Sequence, residues 1–162
     1  MKKLFLLLIG IMGIVHTASA QFEQDKLYVG ASLTGLNLGY NGKDGLEVGA
    51  DAKAGYFFTD DWLLLGQFSY NHSGNEAVAD HITVGAGLRY YIIQNGLYLG
   101  VNGKLLHAYH NYNDLMPGVE IGYAFFLSGT ATIEPSIFYD QSFRNHKDYS
   151  TLGFKIGFGL YF

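Results

Sequence analysis

The last stretch of the chain, Tyr149 to Phe162, reads YSTLGFKIGFGLYF and alternates between two kinds of residue. Every second position back from the C terminus is large and apolar: Phe162, Leu160, Phe158, Ile156, Phe154 and Leu152. Most positions between them are small or polar, and they include Lys155. A period of two residues is typical of a β-strand with one apolar face, and about 3.3 Å per residue makes this strand long enough to cross a hydrocarbon layer at a tilt.

The same alternation recurs seven times upstream, after a short polar lead over 21–25. Turn-forming pairs such as Asn41-Gly42 and Asn95-Gly96, or longer polar loops, separate the repeats. The phase of the first repeat shifts near Gly35, where we predict a β-bulge. The eight predicted strands cover 26–38, 46–58, 62–71, 80–92, 97–109, 118–125, 131–140 and 149–162. The sequence therefore predicts an all-β fold of eight antiparallel strands.

The first 20 residues have the pattern of a secretory signal peptide. Lys2 and Lys3 precede an apolar run that is too short for a transmembrane helix, and Ala18-Ser19-Ala20 fits an A-x-A cleavage site. We predict a signal peptide over 1–20 and one β-barrel domain over 21–162. The chain contains no cysteine, which excludes a disulfide framework in spite of the predicted export.

The composition favours a barrel over an ordinary soluble domain. Glycine contributes 22 of the 162 residues, aromatic residues make up 16 % and charged residues only 15 %. This glycine content is well above the roughly 7 % that is usual in proteins. The net charge of −4 argues against nucleic acid as a partner.

Periodicity defines two faces without saying which one is inside, so a soluble barrel with an apolar interior is the alternative to a membrane barrel. The apolar face carries no charge in strand after strand, and large aromatic residues sit at its two ends. They are Tyr56, Trp62, Tyr90 and Phe125 at one edge and Tyr40, Tyr70 and Tyr139 at the other. Two aromatic girdles are typical of a barrel that spans a bilayer, so we expect the apolar face to contact lipid.

The second face combines glycine with charges of both signs. The predicted lumen charges are Glu47, Asp51, Lys53, Arg89, Lys104, Glu120, Glu134 and Lys155. Eight strands leave a lumen that side chains fill, and buried charges persist only when they are paired. Four acids and four bases therefore predict a salt-bridged core, and hairpin adjacency predicts the pairs Lys104 with Glu120 and Glu134 with Lys155. A narrow ion path through those pairs is the functional alternative.

The predicted signal peptide, eight alternating strands, charge-paired lumen and terminal Tyr161-Phe162 resemble the small outer-membrane barrels of the OmpX and OmpA transmembrane-domain type. The resemblance implies an up-and-down transmembrane β-barrel in the outer membrane of a Gram-negative-type cell, in contact with membrane lipid and lipopolysaccharide. It also implies that the barrel assembly machinery recognises Phe162, Leu160 and Phe158. Because the strand number is even, we expect both mature termini on the periplasmic side, and we expect a monomer.

Some barrels of this size modify lipid A, so catalytic groups would be expected at the predicted external rim. The candidates are His72 with Ser73, Asp80 with His81, and His146 with Asp148 and Ser150. A nucleophile, a base and an orienting carboxylate must lie within hydrogen-bond reach, whereas adjacent residues on a strand point to opposite faces. We therefore predict no catalytic site.

Histidine is also concentrated near the predicted external ends, which raises the question of a metal site. The five residues are His72, His81, His107, His110 and His146. Only His107 and His110 are close in sequence, and a metal site needs at least three converging ligands. The sequence predicts neither a metal site nor a cofactor.

We therefore predict a non-enzymatic outer-membrane barrel with a structural or surface-interaction role. A lipid A-modifying enzyme and a narrow, porin-like pore for small solutes are the alternatives.

Overall fold

Nine strand segments form the part of the chain that the computed structural model describes, which is residues 22–34, 47–73, 81–92, 95–108, 112–144 and 150–162. They are β1 (Leu27–Thr34), β2 (Glu47–Thr59), β3 (Trp62–Ser73), β4 (His81–Tyr91), β5 (Leu97–Ala108), β6 (Tyr112–Tyr123), β7 (Phe125–Phe126), β8 (Ala131–Asp140) and β9 (Thr151–Tyr161). Segments β6 and β7 pair with β8 in one continuous register, so they are a single strand interrupted at Ala124.

The sheet closes into an eight-stranded barrel. Each strand pairs with the next in antiparallel orientation, and the first strand, β1, pairs with the last, β9, from Tyr28↔Tyr161 to Leu33↔Ile156. Within the described residues the ladder therefore runs around the full circle, which confirms the predicted antiparallel barrel. In those same residues there is no helix long and apolar enough to cross a membrane.

One predicted boundary was wrong. Strand β6 begins at Tyr112, whereas the predicted sixth strand begins at 118, after a loop. A carboxylate at the start of a strand is tolerated here because Asp114 points inward and accepts a hydrogen bond from the Ser142 hydroxyl. The predicted signal peptide, the bulge near Gly35 and the turn at Asn41-Gly42 lie outside the described residues.

The two faces of the barrel wall follow the predicted alternation. In β9 the outward side chains of Leu152, Phe158 and Leu160 are 43–59 % exposed, whereas Lys155 and Tyr161 point into the lumen and are buried. Apolar residues therefore cover the outside of the barrel, and the charged strand residues whose side chains the structure describes lie inside.

A cluster of aromatic rings fills one end of the lumen, which we call the turn end because it carries the short connection Asp60-Asp61, residues 92–96 and residues 127–130. The fully buried rings are Phe22, Phe57, Tyr91, Tyr98 and Tyr161. The opposite end is called the loop end.

Phe22 belongs to the N-terminal lead, which is predicted as a short polar segment that precedes the first strand. Its ring stacks on Tyr91 at 4.0 Å between centroids and meets Tyr161 edge-on at 5.6 Å. The Phe22 carbonyl accepts a hydrogen bond from the Asp61 amide (2.8 Å), and the Asp25 amide donates to the Phe57 carbonyl (2.9 Å). The lead therefore folds back across the turn end and inserts Phe22 as a plug.

We expect Phe22→Ala to lower the free energy of unfolding by about 3–5 kcal/mol, because it removes a fully buried ring and leaves a cavity. Urea unfolding of the refolded barrel in detergent micelles measures this. The control is Phe143→Ala, since Phe143 is 71 % exposed. Equal urea midpoints for the two variants would show that the plug contributes nothing to stability.

Candidate functional site

Glu120 on β6 is the centre of a layer of charged side chains in the middle of the lumen. Its Oε1 accepts from Arg89 Nη2 at 2.7 Å, and its Oε2 accepts from Lys53 Nζ at 3.3 Å and from Lys155 Nζ. The three cations come from β4, β2 and β9, and all four side chains are buried. One carboxylate therefore links three other walls of the barrel across the lumen.

Glu134 on β8 is the second buried carboxylate of the layer. Arg89 bridges the two acids, because its Nη1 donates to Glu134 Oε2 at 2.9 Å. The hydroxyls of Tyr28, Thr132 and Tyr161 also donate to Glu134, each at 2.9 Å. Because Tyr161 belongs to the aromatic cluster, Glu134 joins the charged layer to the packed turn end.

A further ion pair lies at the edge of the layer. Lys104 Nζ donates to Asp140 Oδ2 at 2.5 Å. Asp51 accepts from the Ser32 hydroxyl, also at 2.5 Å. The charged side chains of this layer cancel in formal charge: Asp51, Glu120, Glu134 and Asp140 with Lys53, Arg89, Lys104 and Lys155. A fifth inward carboxylate, Asp114, lies nearer the loop end.

The structure brings together seven of the eight predicted lumen charges, and the side chain of Glu47 lies outside the described part of the chain. The two predicted pairs were wrong: Lys104 bonds to Asp140, and Lys155 bonds to Glu120. In the β5–β6 register Lys104 pairs with Met116, which lies four positions before Glu120. Lys104 and Glu120 therefore lie at different heights in the lumen, although they belong to neighbouring strands. Asp140 was missed, although its position on the inward side of β8 was visible in the alternation.

Glycine on the inner wall makes room for these large side chains. A Cβ on Gly122 would lie 2.4 Å from the Tyr98 hydroxyl oxygen, and one on Gly159 would lie 2.3 Å from Glu134 Oε1. Both distances are shorter than any van der Waals contact. The glycine-rich inner face is therefore the shape complement of the tyrosines and glutamates opposite it.

The space left among the charged side chains is very small. A cavity of about 10 Å³ lies between Tyr28, Lys53, Arg89, Glu134 and Lys155. A volume of about 10–15 Å³ holds one water molecule. At this level the lumen is filled by side chains.

The predicted aromatic girdle is represented on the outer face. At the turn end Tyr56, Trp62, Tyr90 and Phe125 are 37–41 % exposed, and the rings of Trp62 and Tyr90 are 5.0 Å apart. Towards the loop end Tyr70 is 45 % exposed and Tyr139 is half-buried, with its hydroxyl donating to Gln141. Tyr40 lies outside the described residues.

The predicted assembly signal also lies on the outer face. Phe158, Leu160 and Phe162 are 59 %, 43 % and 62 % exposed. The backbone of Phe162 pairs with Leu27 through two hydrogen bonds of 2.9 and 3.1 Å. These residues therefore form the outward side of the seam that closes the barrel.

The candidate catalytic and metal-binding residues fall mostly outside the described part of the chain, as do the side chains of His72, Ser73 and His81. Ser150 accepts a hydrogen bond from the Ser142 amide at 2.9 Å. His107 Nδ1 donates to Asn113 Oδ1 at 2.8 Å. Among the described residues, no group of three histidine, aspartate or glutamate side chains is arranged to hold a metal ion.

We expect Glu120→Gln to cost about 3–5 kcal/mol of unfolding free energy, because it leaves three buried cations with one carboxylate fewer. Lys155→Met should cost less, since Lys53 and Arg89 still neutralise Glu120. Urea unfolding, together with the gel mobility shift between folded and heated protein, measures both. Glu23→Gln, at an exposed residue, is the control, and a Glu120→Gln variant as stable as this control would contradict the network.

We expect Gly122→Ala to destabilise the barrel by about 1–3 kcal/mol, since the added methyl group overpacks the lumen against Tyr98. The matched control is Gly103→Ala on the neighbouring strand, where a Cβ meets no atom within 4 Å. That variant should be as stable as the wild type. If both substitutions had the same effect in urea, backbone entropy and not lumen packing would be the cause.

Comparison with known proteins identifies the fold. No protein-family model and no curated protein matches the sequence. The N-terminal β-barrel domain of OprF from Pseudomonas aeruginosa is similar at a TM-score of 0.65 and 13 % identity, over 86 % of this chain and 98 % of that one. OprG from the same organism gives 0.58 and 13 %, over 86 % and 97 %. The Yersinia pestis outer membrane protein Ail gives 0.57 and 16 %, over 86 % and 100 %. At such low identity the likeness concerns architecture, and the chain has the fold of the small eight-stranded outer-membrane β-barrels.

Proposed function

We propose that this protein is an integral outer-membrane β-barrel with a non-enzymatic, structural or surface-interaction role. The observation that carries the proposal is the inside-out distribution of side chains. The described part of the chain has 26 large apolar side chains that are at least 37 % exposed, while nine charged side chains, Asp114 among them, face the lumen.

Water is a poor solvent for such an exterior. Soluble monomers rarely expose a contiguous apolar patch larger than a few hundred Å². In a bilayer the same surface contacts acyl chains, and the closed ladder leaves no strand edge exposed to lipid. The aromatic side chains at both ends of this surface match the two interfaces of a membrane.

The filled lumen supports a structural role over a pore. The layer of charged side chains and the Phe22 plug both lie across the path that a solute would take. The space left within the charged layer is a cavity of only about 10 Å³. Opening that path would separate buried charges from their partners, which costs several kcal/mol for each broken pair.

The orientation of the proposed barrel follows from its two ends. An even number of strands keeps both termini at the turn end, where short connections fit the periplasmic side and leave the loop end outside the cell. We propose that the barrel is a monomer, that outer-membrane lipid and lipopolysaccharide surround it, and that the assembly machinery recognises Phe162, Leu160 and Phe158.

The membrane proposal makes a prediction for Val101, which is 57 % exposed near the middle of β5. Val101→Lys should destabilise the barrel in lipid vesicles by about 2–4 kcal/mol, as expected for a lysine that faces the bilayer midplane. The measurement is urea unfolding after flotation of the vesicles. The control is Glu23→Lys at the exposed N-terminal lead.

Four results would contradict this proposal. Wild-type protein that does not float with vesicles, or a Val101→Lys variant as stable as the control, would favour a soluble barrel. Step conductance in planar bilayers would favour the pore, and a change in lipid A mass in cells that express the protein would favour the enzyme.

A further inference from the structure

A cleft of about 450 Å³ opens beside β5 and β6 at the loop end. It is larger than the space that a single inorganic anion needs, and it lies within the range of about 300–1,000 Å³ that is usual for small-molecule sites. Its lower wall consists of Leu105 and Leu115, which pair across the two strands and are 64 % and 51 % exposed on the outer face of the barrel.

The upper wall of the cleft is polar. His107 and Asn113 are the next outward pair on the same two strands, and His107 Nδ1 donates to Asn113 Oδ1 at 2.8 Å. Arg144 approaches from the connection between β8 and β9, and its Nη1 donates to the Asn113 carbonyl at 2.9 Å. The apolar pair is thus followed, two residues further along the strand, by an imidazole, and a guanidinium lies beside it.

The acid in this cleft is already satisfied from within the barrel. Asp114 is buried, and its Oδ2 accepts from the Ser142 hydroxyl and from the Arg144 amide at 3.4 Å. These bonds hold the Arg144 backbone at the rim, so that its side chain extends to Asn113.

This arrangement has the chemistry of a phosphate site at the boundary between lipid and water. A guanidinium binds phosphate through charge-assisted hydrogen bonds in a planar fork. An imidazolium carries hydrogen on both ring nitrogens, so it can donate Nε2–H to the phosphate while Nδ1–H stays on Asn113. Directly beside them, Leu105 and Leu115 offer an apolar surface at the depth of acyl chains. A ligand that carries both a phosphate and an acyl chain satisfies the two walls at once.

We propose that the cleft binds a phosphorylated, acylated sugar of the lipid A type in the outer leaflet, with its phosphate on Arg144 and His107 and an acyl chain along Leu105 and Leu115. The proposal rests on the proposed outer-membrane location, with the loop end outside. The cleft is large enough to hold a sugar beside the phosphate. A phosphate ion alone would leave most of this volume empty.

The test is native mass spectrometry of the full mature barrel in neutral detergent micelles, titrated with bis-phosphorylated hexa-acyl lipid A. We expect Arg144→Gln to weaken binding about tenfold, the loss expected for one charge-assisted hydrogen bond. His107→Gln should weaken binding less and Arg144→Lys should retain part of the affinity, because a lysine keeps the charge without the fork. Lys26→Gln at the turn end is the matched control and should bind as the wild type does.

Binding measurements with other ligands show whether the phosphate belongs to lipid A, to another lipid or to a free ion. Lipid A without its phosphates should bind wild type and Arg144→Gln equally weakly, and millimolar inorganic phosphate should not displace intact lipid A. The proposal is overturned if Arg144→Gln and Lys26→Gln bind lipid A equally, if phosphatidylglycerol binds as tightly with the same Arg144 dependence, or if free phosphate competes.

Folding of each variant is checked by the gel mobility shift on heating. Should Arg144→Gln fail to fold, the ratio between His107→Gln and Lys26→Gln decides the outcome, and equal binding by these two overturns the proposal. Flotation with vesicles is measured on the same wild-type sample. Protein that floats but shows no Arg144-dependent binding contradicts only this inference, whereas protein that does not float contradicts the proposed function.

Discussion

The narrow lumen of an eight-stranded barrel is the constraint on which the rest of this structure depends. A closed ladder satisfies the backbone, but it also encloses half of all strand side chains in a space too small for bulk water. Charges in that space lose most of their hydration, so each must find its neutralising partner among the other enclosed side chains. Glu120, with cations from three other strands, is the clearest consequence.

The lumen solves this constraint with two joined layers. Aromatic rings fill the turn end, and Phe22 completes them from outside the strands. The charged layer lies on the loop-end side of these rings. The Tyr161 hydroxyl connects the rings to the charged layer, because it contacts Tyr91 and donates to Glu134. Large side chains in both layers need glycine on the facing wall, as Tyr98 needs Gly122. The chain is thus rich in both glycine and aromatic residues because large rings in the lumen require glycine on the wall that faces them.

The sequence predicted what depends on local alternation and missed what depends on distance across the lumen. That Lys155 faces inward and Phe158 outward follows from a period of two residues, which any short window reveals. The partner of Lys155 cannot be predicted from this alternation, because Glu120 lies two strands away. The tilt of the strands decides which residues of such distant strands lie at the same height in the lumen. Phe22 was missed for a related reason: a lone aromatic residue in a polar lead has no periodicity, and only the closed barrel creates the pocket that receives it.

The two ends of the barrel differ in how tightly they are bound to this interior. At the turn end the N-terminal lead, the Asp60-Asp61 connection and the plug are held by buried rings and backbone hydrogen bonds, so replacing a buried ring there also disturbs the core. At the loop end His107, Asn113 and Arg144 lie on the outer rim, and Asp114 reaches inward and anchors the Arg144 backbone. Side chains on that rim can change without breaking the charged layer. Because recognition requires groups that can vary independently of folding, the loop end is the part of this barrel where binding specificity can reside.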